Sequence, residues 1–510
     1  MRRAFLALML GSVFATPVWA QQPPADKPAA EAPKKEPGTA EASVEETAHA
    51  VQRSIPFRGG TLAYTVTPGT LTIRNDEGVP TASIFYVAYT VKSDKPRPVT
   101  FLFNGGPGSS SMWLHLGSFG PVKIPMPTAD ALPPAPFQLA PNQDTLLDKT
   151  DLVFIDAPTT GLSRMLGKTD AKTVIGVDGD LDAFSRAIQR YLTVNGRWNS
   201  PKFIIGESYG TLRAAGLSET LSERGVEVNG ITLLSTVLNI GRLFQENDQG
   251  TINYVPTFAA TAWYHNKLAN KPADLPGYLA EVRAFAQGPY AQALAKGNAI
   301  SDAEKRDIAQ KLGGYIGISP EIILRNNLRL DDSRFRKELM RDQRKTVGRL
   351  DSRFIGEDSD AGGEGNEYDP TDAAMTGAWV AEINDYLFRD LGYQTQLAYR
   401  PNNYGSSGGW DWKHRVGRGF GGQLAADTSV DLAAAMRHNP HLKVLDIAGW
   451  YDMATPFAGA EYDLGHMAID ADRQQNVSFK YYPSGHMVYI EPDSAKRLHD
   501  DIEAWMDSAR

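Results

Sequence analysis

Cysteine is absent from all 510 residues. Its absence excludes disulfides, thiol nucleophiles and thiolate metal sites. A chain of this length can bury enough core to stand without covalent staples. Histidine is scarce, with nine in the chain, so a histidine in a loop just after a strand is a specific signal. Positive charge is not in excess: the formal net charge is −8, which argues against a nucleic-acid partner. Long apolar runs are also missing. The N-terminal run, residues 4–13, falls short of the ~20 residues a membrane span needs. What remains, 42% hydrophobic and 22% charged, is ordinary globular composition.

That N-terminal run follows Met1-Arg2-Arg3 and precedes Val18-Trp19-Ala20. A basic start, a short apolar stretch and small residues before a cut site are the parts of a secretory signal peptide. Residues 1–20 are therefore expected to be removed, leaving Gln21 first and the protein exported, periplasmic or secreted, without stable membrane insertion. The competing reading, an N-terminal anchor, suits a longer run. Residues 21–50 are rich in Pro, Ala, Glu and Lys with little to bury, and read as a disordered linker.

Alternation begins near Gly60. Leu62, Tyr64 and Val66, then Leu71 and Ile73, then residues 84–91 read as antiparallel strands. Apolar runs at 98–103, 151–156, 203–205 and 231–238 alternate with helical spacing, as at 180–192. Strands alternating with helices imply a mostly parallel sheet covered on both faces. From 241 to 420 the pattern becomes mainly helical, with Ser319-Pro320 as a helix start. The basic-rich stretch 325–349 reads as a solvated helical face. The acidic, glycine-rich stretch 356–369 reads as a mobile loop, since its spacing is not that of an EF-hand. The aromatic stretch 402–412, with Tyr404, Trp410 and Trp412, lines a pocket or packs within this region. The α/β pattern returns over 421–510, with strands at 442–449 and 477–482 and a last helix marked by Ala495, Leu498, Ile502 and Trp505.

The chemistry concentrates in three places. Gly206-Glu207-Ser208-Tyr209-Gly210 fits G-x-S-x-G between a buried strand and a helix, the context in which a serine is held exposed on a sharp turn. A serine becomes a nucleophile when a base takes its proton, and a carboxylate fixes that base. Asp452 and His486 lie on loops after late strands, in the chain order Ser, Asp, His of α/β-hydrolases. Asn104-Gly105-Gly106-Pro107-Gly108 ends an earlier strand, where backbone N–H groups can serve an oxyanion.

These stretches, with Asp156-Ala157-Pro158 through Gly161, Gly449 through Asp452 to Pro456, and Gly485-His486-Met487-Val488, resemble the serine carboxypeptidase (S10 peptidase) family over roughly 80–510. The resemblance implies an α/β-hydrolase core, residues 51–240 and 421–510, with residues 241–420 as a mainly helical cap over the site. It implies Ser208 as nucleophile, His486 as general base and Asp452 as its orienter. It further implies an oxyanion hole of Gly106 and Tyr209, and Asn104 with Glu207 as readers of a peptide substrate's C-terminal carboxylate. No cofactor or metal is called for. Two carboxylates repel, so Glu207 must be protonated in that role, which favours acid. The chain departs from the family pattern at Ser118, fourteen residues beyond Asn104, where a second carboxylate is usual. It departs at Trp450, where an acidic residue is usual, at Gly210-Thr211 in place of Ala-Gly, and in lacking cysteine pairs. An esterase or acyltransferase would need the same triad, and a binding module without turnover is the third alternative.

Overall fold

The computed structural model describes residues 41–126, 134–244, 247–403, 409–416 and 422–509. The expected signal peptide, residues 21–40 of the expected linker and Tyr404 lie outside the described residues. Among the described residues no helix is long and apolar enough to cross a membrane.

One sheet organises the chain. Its main strands are β1 (Val51–Phe57), β2 (Gly60–Arg74), β3 (Pro80–Thr90), β4 (Val99–Phe103), β5 (Asp151–Ile155), β6 (Lys202–Glu207), β7 (Gly230–Leu234), β8 (Lys443–Gly449) and β9 (Val477–Tyr482). They lie in the order β1-β2-β3-β5-β4-β6-β7-β8-β9, and the short strand Arg164–Met165 adds to β3. From β5 to β9 every pairing is parallel, whereas β1, β2, β3 and β5 pair antiparallel. The composition follows the burial. β4, β5 and β6 are buried at every position, as strands covered on both faces must be.

Helices α1 (Val177–Val194) and α2 (Tyr209–Glu223) pack one face of the sheet through Leu181, Phe184, Ile188, Leu212 and Leu217. Three further helices are α3 (Asp248–Tyr264), α4 (Asp302–Ile316) and α5 (Pro370–Asn384). Next come α6 (Ser429–His438), which joins the first face, and α7 (Pro492–Ser508). The opposite face is covered by α7, through Leu498, Ile502 and Trp505, and by Met375 and Trp379 of α5. Helices α3 and α4 belong to a third core, built around Phe258, Leu279, Leu312 and Phe335. This mostly parallel sheet between helical layers, with a helical insertion, is the α/β-hydrolase architecture.

Several local expectations change. Leu62 to Ile73 is one strand rather than two, running through Pro68-Gly69. Gly69 is required there: a Cβ would meet the Thr47 carbonyl at 2.3 Å. That carbonyl belongs to residues read as linker. Instead Glu46 accepts from Thr72 N and pairs with Arg190, and His49 N donates to Pro68 O, so the chain is laid against β2 before residue 50. The stretch 325–349 is not a solvated face throughout. Lys337 is buried and pairs with buried Asp358 at 2.7 Å. Residues 356–369, read as a mobile loop, supply that Asp358 and also Asp369, which caps α5 and accepts from the N–H groups of Arg349 and Leu350. Charge alone did not separate solvated groups from such buried partners.

Candidate active site

Strand β6 runs directly into α2, and the reversal occurs at Ser208. Its backbone sits at φ +61°, ψ −131°, a strained conformation for any residue but glycine. The turn closes because its flanks lack side chains. A Cβ on Gly206 would lie 2.1 Å from the Gly210 carbonyl, and one on Gly105 would lie 2.4 Å from Tyr209 N. The second contact brings the glycine-rich turn after β4 against the first turn of α2. Gly106, at φ +100°, and Tyr209 therefore meet at one wall of a cavity. Ser208 N donates to Leu234 O at 3.0 Å. The Thr211 hydroxyl donates to the Ser208 carbonyl at 2.7 Å and accepts from Val237 N. This is what the departure at Gly210-Thr211 does: it ties the elbow to the chain leaving β7.

His486 and Asp452 arrive from the loops after β9 and β8. His486 Nδ1 and Asp452 Oδ2 are 2.7 Å apart. Asp452 is buried, and its carboxylate accepts from Ala454 N, Thr455 N and the Thr455 hydroxyl at 2.7, 3.0 and 2.7 Å. Burial opposes a charged imidazole, but the adjoining Asp452 carboxylate outweighs it and holds His486 above its ordinary value. The His486 carbonyl accepts from the Ser235 hydroxyl.

The insertion also holds these loops. His486 N donates to Leu350 O at 2.6 Å, and Met453 N donates to Arg349 O at 3.0 Å. Gly485 N donates to Asp351 Oδ2 at 3.1 Å, and Asp351 is paired with buried Arg353 at 2.6 Å. Residues 349–353 thus form a strap between the two loops.

Ser208, His486, Gly106, Tyr209, Asn104 and Glu207 line one cavity of about 460 Å³, and Asp452 stands behind His486. Trp113, Leu243, Phe244, Met375 and Trp412 contribute to its apolar wall. Trp410 and Trp412 both pack on the Tyr209 ring. The aromatic stretch therefore lines the cavity through Trp412, while its packing is against the core of the sheet and its helices rather than the insertion's own core.

Asn104 and Glu207 form a buried pair, with Asn104 Nδ2 donating to Glu207 Oε1 at 2.8 Å. Leu114 N donates to Asn104 Oδ1 at 2.9 Å, which fixes the amide. Beneath them Arg213, fully buried, pairs with Asp180 at 2.7 Å and donates to the Asn104 carbonyl at 2.7 Å. Burial pushes the Glu207 carboxyl up to about 7, opposed by His486 and by the neighbouring Tyr489 hydroxyl. Ser118 takes no part, because its hydroxyl donates to Leu114 O at 2.6 Å. Trp450 packs against the insertion's core.

Sequence reasoning missed Tyr489, Asp351, Ser235 and Arg213. Tyr489 was within reach, three residues after His486 and in the same loop. Asp351 carried no local signal, since its partner Gly485 is 134 positions away.

A family model described as serine carboxypeptidase matches residues 67–280. Serine carboxypeptidase-like 51 of Arabidopsis thaliana is 32% identical over 118 residues, 23% of this chain and 23% of that protein. Serine carboxypeptidase-like 10 of the same plant is 24% identical over 181 residues, 34% of this chain and 38% of that protein. The match therefore spans between about a quarter and two fifths of these relatives' length. A proline iminopeptidase structure from Mycobacterium smegmatis is 12% identical with a TM-score of 0.36, covering 86% of this chain and 98% of that one.

Proposed function

We propose that this chain, whose residues 67–280 match a family model described as serine carboxypeptidase, is an exported member of that family that removes C-terminal residues from peptides. The observation that carries this reading is the buried Asn104–Glu207 pair in the cavity that Ser208 and His486 share. An esterase needs the nucleophile and base but has no use for a buried amide–carboxyl pair one residue from the nucleophile.

In this reading Ser208 Oγ attacks the scissile carbonyl, and its proton passes to His486 Nε2. Asp452 holds the other ring nitrogen as an N–H donor and stabilises the imidazolium. The carbonyl oxygen, now negative, is met by the backbone N–H groups of Gly106 and Tyr209. His486 returns the proton to the leaving amine, and the C-terminal residue departs. A water deprotonated by His486 then attacks the Ser208 ester and frees the enzyme.

Asn104 Nδ2 and the protonated Glu207 carboxyl are the donors for the substrate's terminal carboxylate. A Glu207 value near 7 supports this, because the carboxyl keeps its proton well above the ordinary carboxylate range. Ser118 is bound to its own helix turn, so the second carboxylate usual in the family has no counterpart there. This departure favours the alternative, acyl transfer from esters without a free carboxylate.

The experiment is to trap the acyl-enzyme. Mixing the protein with a blocked dipeptide p-nitrophenyl ester and quenching in acid should leave the acyl group on the peptide that contains Ser208. An adduct on another residue, or none with turnover intact, contradicts the reading.

A further inference from the structure

The two carboxyl oxygens of Glu207 are in unequal positions. Oε1 accepts from Asn104, whereas Oε2 is buried and has no hydrogen-bond partner among the described residues. The Tyr489 hydroxyl, also buried, likewise has none. The two groups are neighbours, and each acts on the other's ionisation. The Tyr489 ring lies on Gly117, in the short helical stretch 112–119 whose Leu114 N holds the Asn104 amide that donates to Glu207. A buried polar atom without a partner costs about 1–3 kcal/mol, so two such atoms side by side are a hydrogen bond waiting for a small adjustment. The Tyr489 ring has little freedom to leave. It lies against Gly117 so closely that a Cβ there would come within 2.6 Å of it, and it is 3% exposed.

We infer that Tyr489 is a positioning residue for Glu207, whose hydroxyl donates to Oε2 once Glu207 gives up its proton and so sets the pH at which Glu207 stops receiving a substrate carboxylate. The link between the two side chains stands by itself, and its consequence for substrate rests on the carboxypeptidase reading. The groups facing Glu207 are His486, Asp452, Asn104 and Tyr489. Burial and Asp452 keep the proton on, while His486, Tyr489 and Asn104 favour its loss. Among these Tyr489 is the one that belongs neither to the proposed triad nor to the cavity lining. Burial and the Glu207 charge hold its own hydroxyl well above the ordinary tyrosine range, so it remains a donor wherever the enzyme works. With Ser118 committed elsewhere, the loop that carries the base also carries the group that tunes the reader.

The sign follows from the geometry. A hydroxyl donating to a carboxylate stabilises the anion, so its removal makes Glu207 hold its proton to higher pH. In Tyr489→Phe the Glu207 titration should move up by about one pH unit, the equivalent of one hydrogen bond to a charged group.

The test follows the carbonyl infrared band of protonated Glu207 in the substrate-free protein, assigned by its loss in Glu207→Gln. An upward shift of its midpoint in Tyr489→Phe is the expected result. An unmoved or lowered midpoint, or no such band in the wild type at acid pH, overturns the proposal. Should Tyr489→Phe fail to fold, a ring-fluorinated tyrosine at 489 is a stronger donor and should lower the midpoint instead; no change overturns the proposal. The same variants are then assayed on a peptide acid and its amide. A preference for the acid whose alkaline limb follows the infrared midpoint supports the whole proposal. A midpoint that moves in a protein with no preference for the acid supports the Tyr489–Glu207 link and overturns the carboxypeptidase reading.

Discussion

The backbone N–H of His486 donates to the carbonyl of Leu350 at 2.6 Å, so a residue of the helical insertion holds the loop that carries the proposed base. Beside it Asp351 takes the N–H of Gly485, and Arg353, paired with Asp351, donates to the Pro483 carbonyl and to Glu491. The insertion is thereby part of the frame of the site as well as its roof. Asp351→Ala removes one of the two carboxylates paired with the buried Arg353 guanidinium, leaving Glu491, and should cost about 1–3 kcal/mol. Denaturant unfolding should show that loss. In the folded fraction kcat should fall while KM changes little, because the cavity wall is left in place. Loss of stability with full kcat would show that the strap does not position His486.

Ser208→Ala should lower kcat by ~10³-fold or more with stability unchanged. Ser208→Gly should be as inactive yet more stable than Ser208→Ala by about 1 kcal/mol, because φ +61°, ψ −131° costs glycine little. Thermal unfolding of the two variants checks this. An equal or lower midpoint for the glycine variant would show that the elbow stores no strain.

Asn104→Ala removes the donor to Glu207 Oε1 and the acceptor of Leu114 N. The effect should be at least ten times larger on kcat/KM for a peptide acid than for the matching neutral ester, about 1.4 kcal/mol of selective loss. Parallel losses on both substrates would count against carboxylate reading and in favour of general damage to the turn.

Glu207 makes stability depend on pH in a known direction. Its value is raised from 4.5 to about 7 in the folded state, so between those values the folded protein holds a proton that the unfolded chain has lost. The stabilisation is complete below pH 4.5 and is lost as pH rises through about 7, a change on the order of 3 kcal/mol. The difference in unfolding free energy between wild type and Glu207→Gln isolates this group from others. Relative to wild type, the glutamine variant should gain stability from pH 5 to pH 8, and a flat difference would mean that Glu207 is ionised throughout.

Much of the site was legible because it is local. Gly206 and Gly210 around Ser208, Asn104 ahead of Gly105-Gly106, and His486 after β9 each carry their meaning within a few residues, since turns need particular residues at fixed offsets. The sheet was legible for the same reason, as β4 to β6 are continuous apolar runs. What was hidden depends on pairs far apart in the chain. Lys337 and Asp358 look solvated until each is seen to neutralise the other. Residues 44–49 look like spacer until Gly69 leaves room for the Thr47 carbonyl. Arg213 and Asp351 are ordinary surface letters whose burial is decided by partners 33 and 134 positions away.

The most direct test of the central claim compares a blocked dipeptide with a free C-terminus and its C-terminal amide on the purified protein, from about pH 4 to about pH 8. The account predicts a higher kcat/KM for the free acid at low pH, with the advantage fading as Glu207 loses its proton near 7. Equal or better cleavage of the amide across the range, or activity on simple esters alone, would contradict it.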